Sequence, residues 1–137
     1  MILVSACLLG HNCKYNGGNN DNPAVHEFLT GKEYVFFCPE RAGGLPAPRL
    51  PSEIRGERVF SSAGEDVTEE FRQGAEKTLT FCQKHGVTQA IMKERSPSCG
   101  VHAVYDGTFS GKTVPGMGVA ARLLAENGID LLSEEDI

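Results

Sequence analysis

The chain is expected to fold as an α/β domain with a mainly parallel sheet flanked by helices. Three observations predict this: short, nearly continuous apolar runs, helical stretches between them, and turn residues at the junctions. A length of 137 residues is one domain's worth of chain, so residues 1–137 are read as a single domain. With 40% hydrophobic and 23% charged residues there is enough apolar material for one core, which excludes disorder as the main state.

Ile2-Leu3-Val4-Ser5-Ala6 is an apolar run ending in small residues, the pattern of a strand buried on both faces. A Gly/Asn-rich loop follows from Gly10 to Asn22, then a short helix from Pro23 to Leu29, with the proline tolerated in its first turn. Tyr34-Val35-Phe36-Phe37 repeats the buried-strand pattern. From Pro39 to Pro51, four prolines and the adjacent Gly43 and Gly44 exclude regular structure. This leaves a long ordered loop, a kind of segment that tends to carry function.

The clearest helix opens at Asp66 as cap, with Glu69 at the reciprocal capping-box position and Gly86 as its stop. Its apolar stripe is Val67, Phe71, Ala75, Leu79 and Cys82. Thr88 to Met92 reads as a third buried strand and Val101 to Tyr105 as a fourth, with Asp106-Gly107 as a turn. Val119 to Asn127 is another helix, ended by Gly128, and Ile129 to Leu132 a last strand. The alternation implies parallel strands with helices on the sheet's faces, a Rossmann-like three-layer arrangement.

Thirteen basic and eighteen acidic residues give a formal charge of -5. A nucleic-acid binder should show a basic stripe for the phosphates, and none is present. No apolar run approaches the ~20 residues of a membrane span. The apolar start has no preceding basic region, so a signal peptide is not expected and a reducing cytoplasm is the expected location. There, five cysteines point to thiol, metal or catalytic use ahead of a disulfide frame.

The position of the cysteines carries the chemistry. Cys7 follows the first strand, Cys38 the second, and Cys99 lies a few residues past the third. In a parallel sheet these are all carboxyl ends, outside which α/β folds bind ligands. Three thiolates converging there suggest a metal centre. Cys82 lies on the apolar stripe of its helix and reads as core. Cys13 is open to three readings: a fourth ligand, a substitute for Cys7, or a residue packed beneath the site.

Zinc is one candidate metal, with His11 or His102 completing the set, although no CxxC or HxxxH pair is present. An iron-sulfur cubane on three cysteines is the other, with one iron left open to a soft ligand such as substrate sulfur. Around the thiols, Glu40 is a candidate acid/base, and Ser96 and Ser98 are candidates either for substrate contact or for loop hydrogen bonding. Arg49 either orients a substrate group or pairs with Glu53. Lys93 and Glu94 read as site wall or salt bridge. Gly116-Met117-Gly118 before a helix suggests an anion cradle, while the dinucleotide reading is weak. His26, His85 and His102 show no partners in the sequence.

Ser5-Ala6-Cys7-Leu8-Leu9-Gly10, Cys13-Lys14-Tyr15-Asn16-Gly17, Cys38-Pro39-Glu40, Pro48-Arg49-Leu50-Pro51-Ser52-Glu53-Ile54, Lys93-Glu94-Arg95-Ser96-Pro97-Ser98-Cys99-Gly100 and Tyr105-Asp106-Gly107-Thr108-Phe109 stand in one order along the chain. Together they resemble the thiouracil desulfidase family, long known only as a domain of unknown function. The resemblance implies a [4Fe-4S] cluster on Cys7, Cys38 and Cys99. It also implies a non-redox reaction in which the free iron takes the sulfur of a thiolated pyrimidine, water replaces it at carbon, and hydrosulfide leaves. Glu40 matches the family's acid/base glutamate and Ser96 its catalytic serine; Arg49 and Ser98 are expected as substrate contacts from the reading of the residues alone. Lys14 and Asn16 depart from the Arg and Asp often found at those positions, and lysine does not reproduce a bidentate guanidinium contact. The competing expectation is a zinc-binding or sulfur-carrying module without turnover on the same thiols.

Overall fold

The computed structural model describes residues 1–137. Four parallel strands form the central sheet: β1 (Ile2–Ser5), β2 (Tyr34–Phe37), β5 (Gln89–Met92) and β8 (Asp130–Ser133), in the order β2-β1-β5-β8. Pairing runs Ile2 with Tyr34 and Gln89, and Gln89 with Asp130, so the four carboxyl ends lie along one edge.

Strand alternation divides the core into two layers. Leu3, Ala90 and Met92 face one side and pack with Ala75 and Cys82 of helix α3 (Thr68–His85) and with Ala120 and Leu124 of α4 (Val119–Glu126). Ile2, Val4 and Ile91 face the other side and pack with Val25 and Leu29 of α1 (Pro23–Leu29). Ala75 and Cys82 on α3 and Ala120 and Ala121 on α4 are the small residues with which the two helices enter this layer. The result is the three-layer α/β arrangement the sequence implies.

The long helix begins at Thr68 rather than Asp66. The Asp66 carboxylate does accept the Thr68 N–H at 3.0 Å, but Glu69 turns outward to Arg72 and Gln73, so the reciprocal capping box is not formed. Gly86 ends the helix in the left-handed conformation. Two further expectations are corrected. Pro39 opens a one-turn helix, α2 (Pro39–Ala42), where a proline's fixed φ suits a first turn. The fourth strand is shorter, β6 (Ala103–Tyr105), and leaves the main sheet to pair antiparallel with β7 (Thr113–Pro115).

A second ribbon, β3 (Ser52–Arg55) with β4 (Arg58–Ser61), turns at Gly56 and packs beside β6. Both ribbons stand outside the four-stranded sheet. Glycines permit two close approaches. A Cβ on Gly74 of α3 would lie 2.1 Å from the Pro39 carbonyl oxygen, and one on Gly43 would lie 2.0 Å from that of Glu70. The turn carrying Cys38 is therefore seated directly on the long helix. No helix is long and apolar enough to cross a membrane.

Candidate active site

The carboxyl edge of the sheet opens into a cavity of about 530 Å³ lined by Cys7, Cys13, Cys38 and Cys99. Each thiol arrives on a separate turn. A single 3-10 turn (Ala6–Leu9) carries Cys7 directly off β1, and Cys38 is the residue between β2 and α2. Cys99 sits in the loop after β5, where Gly118 lets the α4 N-terminus press against the Ser98–Cys99 backbone: a Cβ there would fall 2.4 Å from the Ser98 carbonyl carbon. All five cysteines are free thiols.

Burial raises Cys7 and pushes Cys99 up to about 12. Opposing this, the Asn20 amide donates to the Cys7 Sγ at 3.4 Å, and the hydroxyls of Ser5 and Ser98 lie against the Cys99 thiol. Cys38 and Cys13 lie against one another, with the Cys38 thiol reaching the Cys13 carbonyl at 4.0 Å; the Cys13 thiol and the Arg41 N–H favour a Cys38 thiolate against burial and hold Cys38 below its ordinary value, while Cys13 is raised. Cys13 thus touches a neighbouring thiol on the cavity wall. Cys82 lies apart in the core, pushed up to about 11 by burial.

Across the cavity stands Glu40, on the first turn of α2. Its Oε1 accepts two bonds from Arg49, Nε at 3.2 Å and Nη2 at 3.0 Å. Its Oε2 accepts the Ser98 hydroxyl at 2.9 Å and faces the Ser96 hydroxyl at 3.4 Å. Ser96 has a second task, because its Oγ accepts the N–H groups of Ser98 and Cys99 and so shapes the turn that presents the thiol. The loop hydrogen bonding expected of Ser96 is thus present, and the same oxygen faces the Glu40 carboxylate.

Arg49 does not pair with Glu53. Its remaining N–H groups reach the carbonyls of Pro46 and Cys13, so the guanidinium joins the α2 turn to the Cys13 loop. Glu53 is instead buried and accepts the N–H groups of Gly107 and Phe109. Glu94, also buried, gathers the N–H groups of Val101, His102 and Ala103 on one oxygen and closes the loop that holds Cys99. Lys93 lines the cavity and pairs with Glu134 at 3.0 Å. Lys14 also reaches the cavity, with its ammonium 5.8 Å from the Tyr15 ring centre.

The anion-cradle and zinc-histidine expectations fail on partners, while His26, His85 and His102 are surface or half-buried residues outside the cavity. The α4 N-terminus cradles no anion site: Val119, Ala120 and Ala121 donate to the carbonyls of Pro97 and Ser98. His26 pairs with Asp21 and His102 with Asp136, at 2.7 and 2.8 Å, while His85 packs on Phe81. His11 stacks on Phe36, so neither it nor His102 lines the cavity as a further zinc ligand. Sequence reasoning missed Asn20, whose only signal was its place in the Gly/Asn-rich loop, and the aromatic lining of Tyr15, Tyr105 and Phe109.

Chemically, the cavity brings together soft donors, a carboxylate fixed on both oxygens, and hydroxyls able to pass a proton. No three His, Cys, Asp or Glu side chains converge on the position of one ion. Four thiols nevertheless line one cavity of about 530 Å³, and thiolates are the soft donors that iron-sulfur groups take. Metal coordination also removes a thiol proton outright, offsetting the burial that raises Cys7 and Cys99.

The chain is similar to known proteins over nearly its whole length. The 2-thiouracil desulfurase family matches residues 2–136. The uncharacterized protein YbbK of Bacillus subtilis (strain 168) is 41% identical over 147 aligned positions, covering 100% of this chain and 97% of that protein. A solved structure of the [4Fe-4S]-dependent thiouracil desulfidase TudS superposes with a TM-score of 0.93 at 42% identity, covering 99% of this chain and 91% of that one.

Proposed function

The chain belongs to the 2-thiouracil desulfurase family, and from that premise we propose that it removes sulfur from a thiolated pyrimidine, exchanging C=S for C=O with release of hydrosulfide. The observation that carries this reading is the placement of Glu40, tied to Arg49 and to two serine hydroxyls, across one cavity from three strand-end thiols. The likeness to a [4Fe-4S]-dependent desulfidase supports the cofactor. Cys7, Cys38 and Cys99 would hold that cluster, and the chemistry of the donor set fits: three free, soft thiols from three separate strand ends line one cavity. When bound, such a cluster supplies a thiophilic Lewis acid for the substrate's sulfur.

The chain's own residues handle water and protons. Replacing sulfur by oxygen consumes one water and no electrons, so the protein needs a base for the attacking water and an acid for the departing sulfur. Glu40 serves as that group. Arg49 fixes Oε1, which leaves Oε2 as the face toward the cavity, and the Ser98 and Ser96 hydroxyls hold the proton relay at that oxygen. Ser96 also presents the Cys99 turn, linking the proton site to the thiol loop. Five free thiols suit a reducing compartment, the cytoplasm in this reading. The test is anaerobic incubation with 2-thiouracil: the proposal expects uracil and sulfide in equal amounts, and absence of both would overturn it.

A further inference from the structure

We infer that Phe109 is a substrate-positioning residue, a flat wall for the ring of a planar heteroaromatic thiocarbonyl compound, held there by Glu53 and Arg55. The inference rests on the desulfuration reading and names how the substrate ring is gripped. Only two residues other than glycine have positive φ, Arg95 at 66° and Phe109 at 55°, and both line the thiol cavity. Side chains rarely adopt that conformation, and outliers held by their surroundings gather at functional sites.

The surroundings of Phe109 are built for the purpose. Glu53, 8% exposed on β3, accepts the Gly107 N–H at 2.9 Å and the Phe109 N–H at 3.1 Å with a single oxygen. Arg55, two residues along the same strand, donates to the Gly107 carbonyl at 2.7 Å and places its guanidinium 5.8 Å from the Phe109 ring centre. A Cβ on Gly107 would meet the Ile54 carbonyl oxygen at 2.8 Å, so the turn rests directly on the ribbon. The β3-β4 ribbon thus holds the Gly107–Phe109 turn with a buried carboxylate and a guanidinium, the latter lying between the rings of Phe60 (5.4 Å) and Phe109 (5.8 Å). Tyr105 at the start of the same turn and Tyr15 from the Cys13 loop add aromatic surface to the cavity. Flat aromatic side chains take a base-like ring by stacking, and a shape-matched aliphatic side chain does not replace them.

The test uses loaded enzyme and the series Phe109→Tyr, Phe109→Leu and Phe109→Ala, with iron and sulfide content measured for each. Tyrosine should keep the wild-type KM for 2-thiouracil. Leucine and alanine should raise KM by roughly tenfold or more, the loss expected for one stacking partner, with kcat within about twofold and cluster content unchanged. Glu53→Ala should raise KM similarly, and the double variant Glu53→Ala/Phe109→Ala should add little, because both act through one ring. Glu53→Gln, which keeps an acceptor oxygen, serves if the alanine variant does not fold. A KM in Phe109→Leu equal to wild type, or a loss confined to kcat, would overturn the inference while leaving desulfuration intact. Wild-type enzyme that releases no sulfide from 2-thiouracil would overturn the desulfuration reading itself, and this inference with it.

Discussion

Glu40 receives hydrogen bonds on both carboxylate oxygens, and the two sides differ in kind: a charge-assisted pair from Arg49 on Oε1, hydroxyls on Oε2. Glu40→Gln keeps the shape but removes the base, so iron and sulfide content should persist while turnover falls by about 10²–10⁴-fold. Unchanged turnover would remove Glu40 from the mechanism. Arg49→Lys replaces a planar fork that reaches Glu40, Pro46 and Cys13 by a point charge that cannot. A shift of the carboxylate by an ångström can cost on the order of 10²-fold, and single-turnover rates with normal cluster content should show it. The sequence pointed to both residues but not to their partnership. Arg49 and Glu53 are close in sequence, yet the ribbon turns Glu53 toward Gly107 and leaves Glu40 to Arg49; nothing local to either side chain signals that exchange.

Among the elements, the segment from Glu94 to Gly118, with the β6-β7 ribbon inside it, decides whether Cys99 stands at the cavity. Gly118→Ala would drive a methyl group into the Ser98–Cys99 backbone. The backbone cannot move aside, because the carbonyls of Pro97 and Ser98 are engaged by α4. Cluster content should fall well below wild type, and Tm should drop, with the cost expected at a few kcal/mol for overpacking. Normal iron content in that variant would show the loop to be more compliant than its contacts imply.

Glu94 gives a pH dependence with a definite sign. Burial opposes its ionisation, but the N–H groups of His102, Ala103, Val101 and Arg95 outweigh it and hold the carboxyl below its ordinary 4.5. The unfolded chain therefore takes up the proton first as pH falls. The stabilisation is complete above 4.5 and is lost as pH drops through the lower folded value. Glu94→Gln should have a lower Tm than wild type at pH 7, and the two curves should converge below 4.5; parallel curves would contradict the assignment.

The parallel strands and long helices were legible because apolar runs and stop signals such as Gly86 are local features. The β3-β4 ribbon was not. Ser52-Glu53-Ile54-Arg55-Gly56-Glu57-Arg58 is charged and only half alternating, and its stability comes from distant partners such as Gly107. Val101 to Tyr105 misled for the opposite reason: an apolar run reads as a sheet strand whether its partner is the main sheet or, as here, Thr113–Pro115.

For the molecule as a whole, the parallel sheet is what gathers the site. Cys7, Cys38 and Cys99 are 31 and 61 residues apart in sequence, and they meet because β1, β2 and β5 end on one edge. The position of each thiol after a strand was readable from sequence; the role of Cys13 was not, since its contact with Cys38 depends on the fold of the Gly/Asn-rich loop. A group bound only by the folded chain stabilises it by linkage, so cluster-loaded protein should melt higher than protein stripped by chelation under mild oxidation. Equal Tm values would separate cofactor binding from folding.

The most direct measurement is iron, acid-labile sulfide and zinc per chain on protein purified without oxygen, for wild type and Cys99→Ser. About four irons and four sulfides in wild type, lost in the variant, is the expected result for a cubane held by three thiolates. Stoichiometric zinc without sulfide would contradict a cluster on Cys7, Cys38 and Cys99 and the desulfuration chemistry built on it.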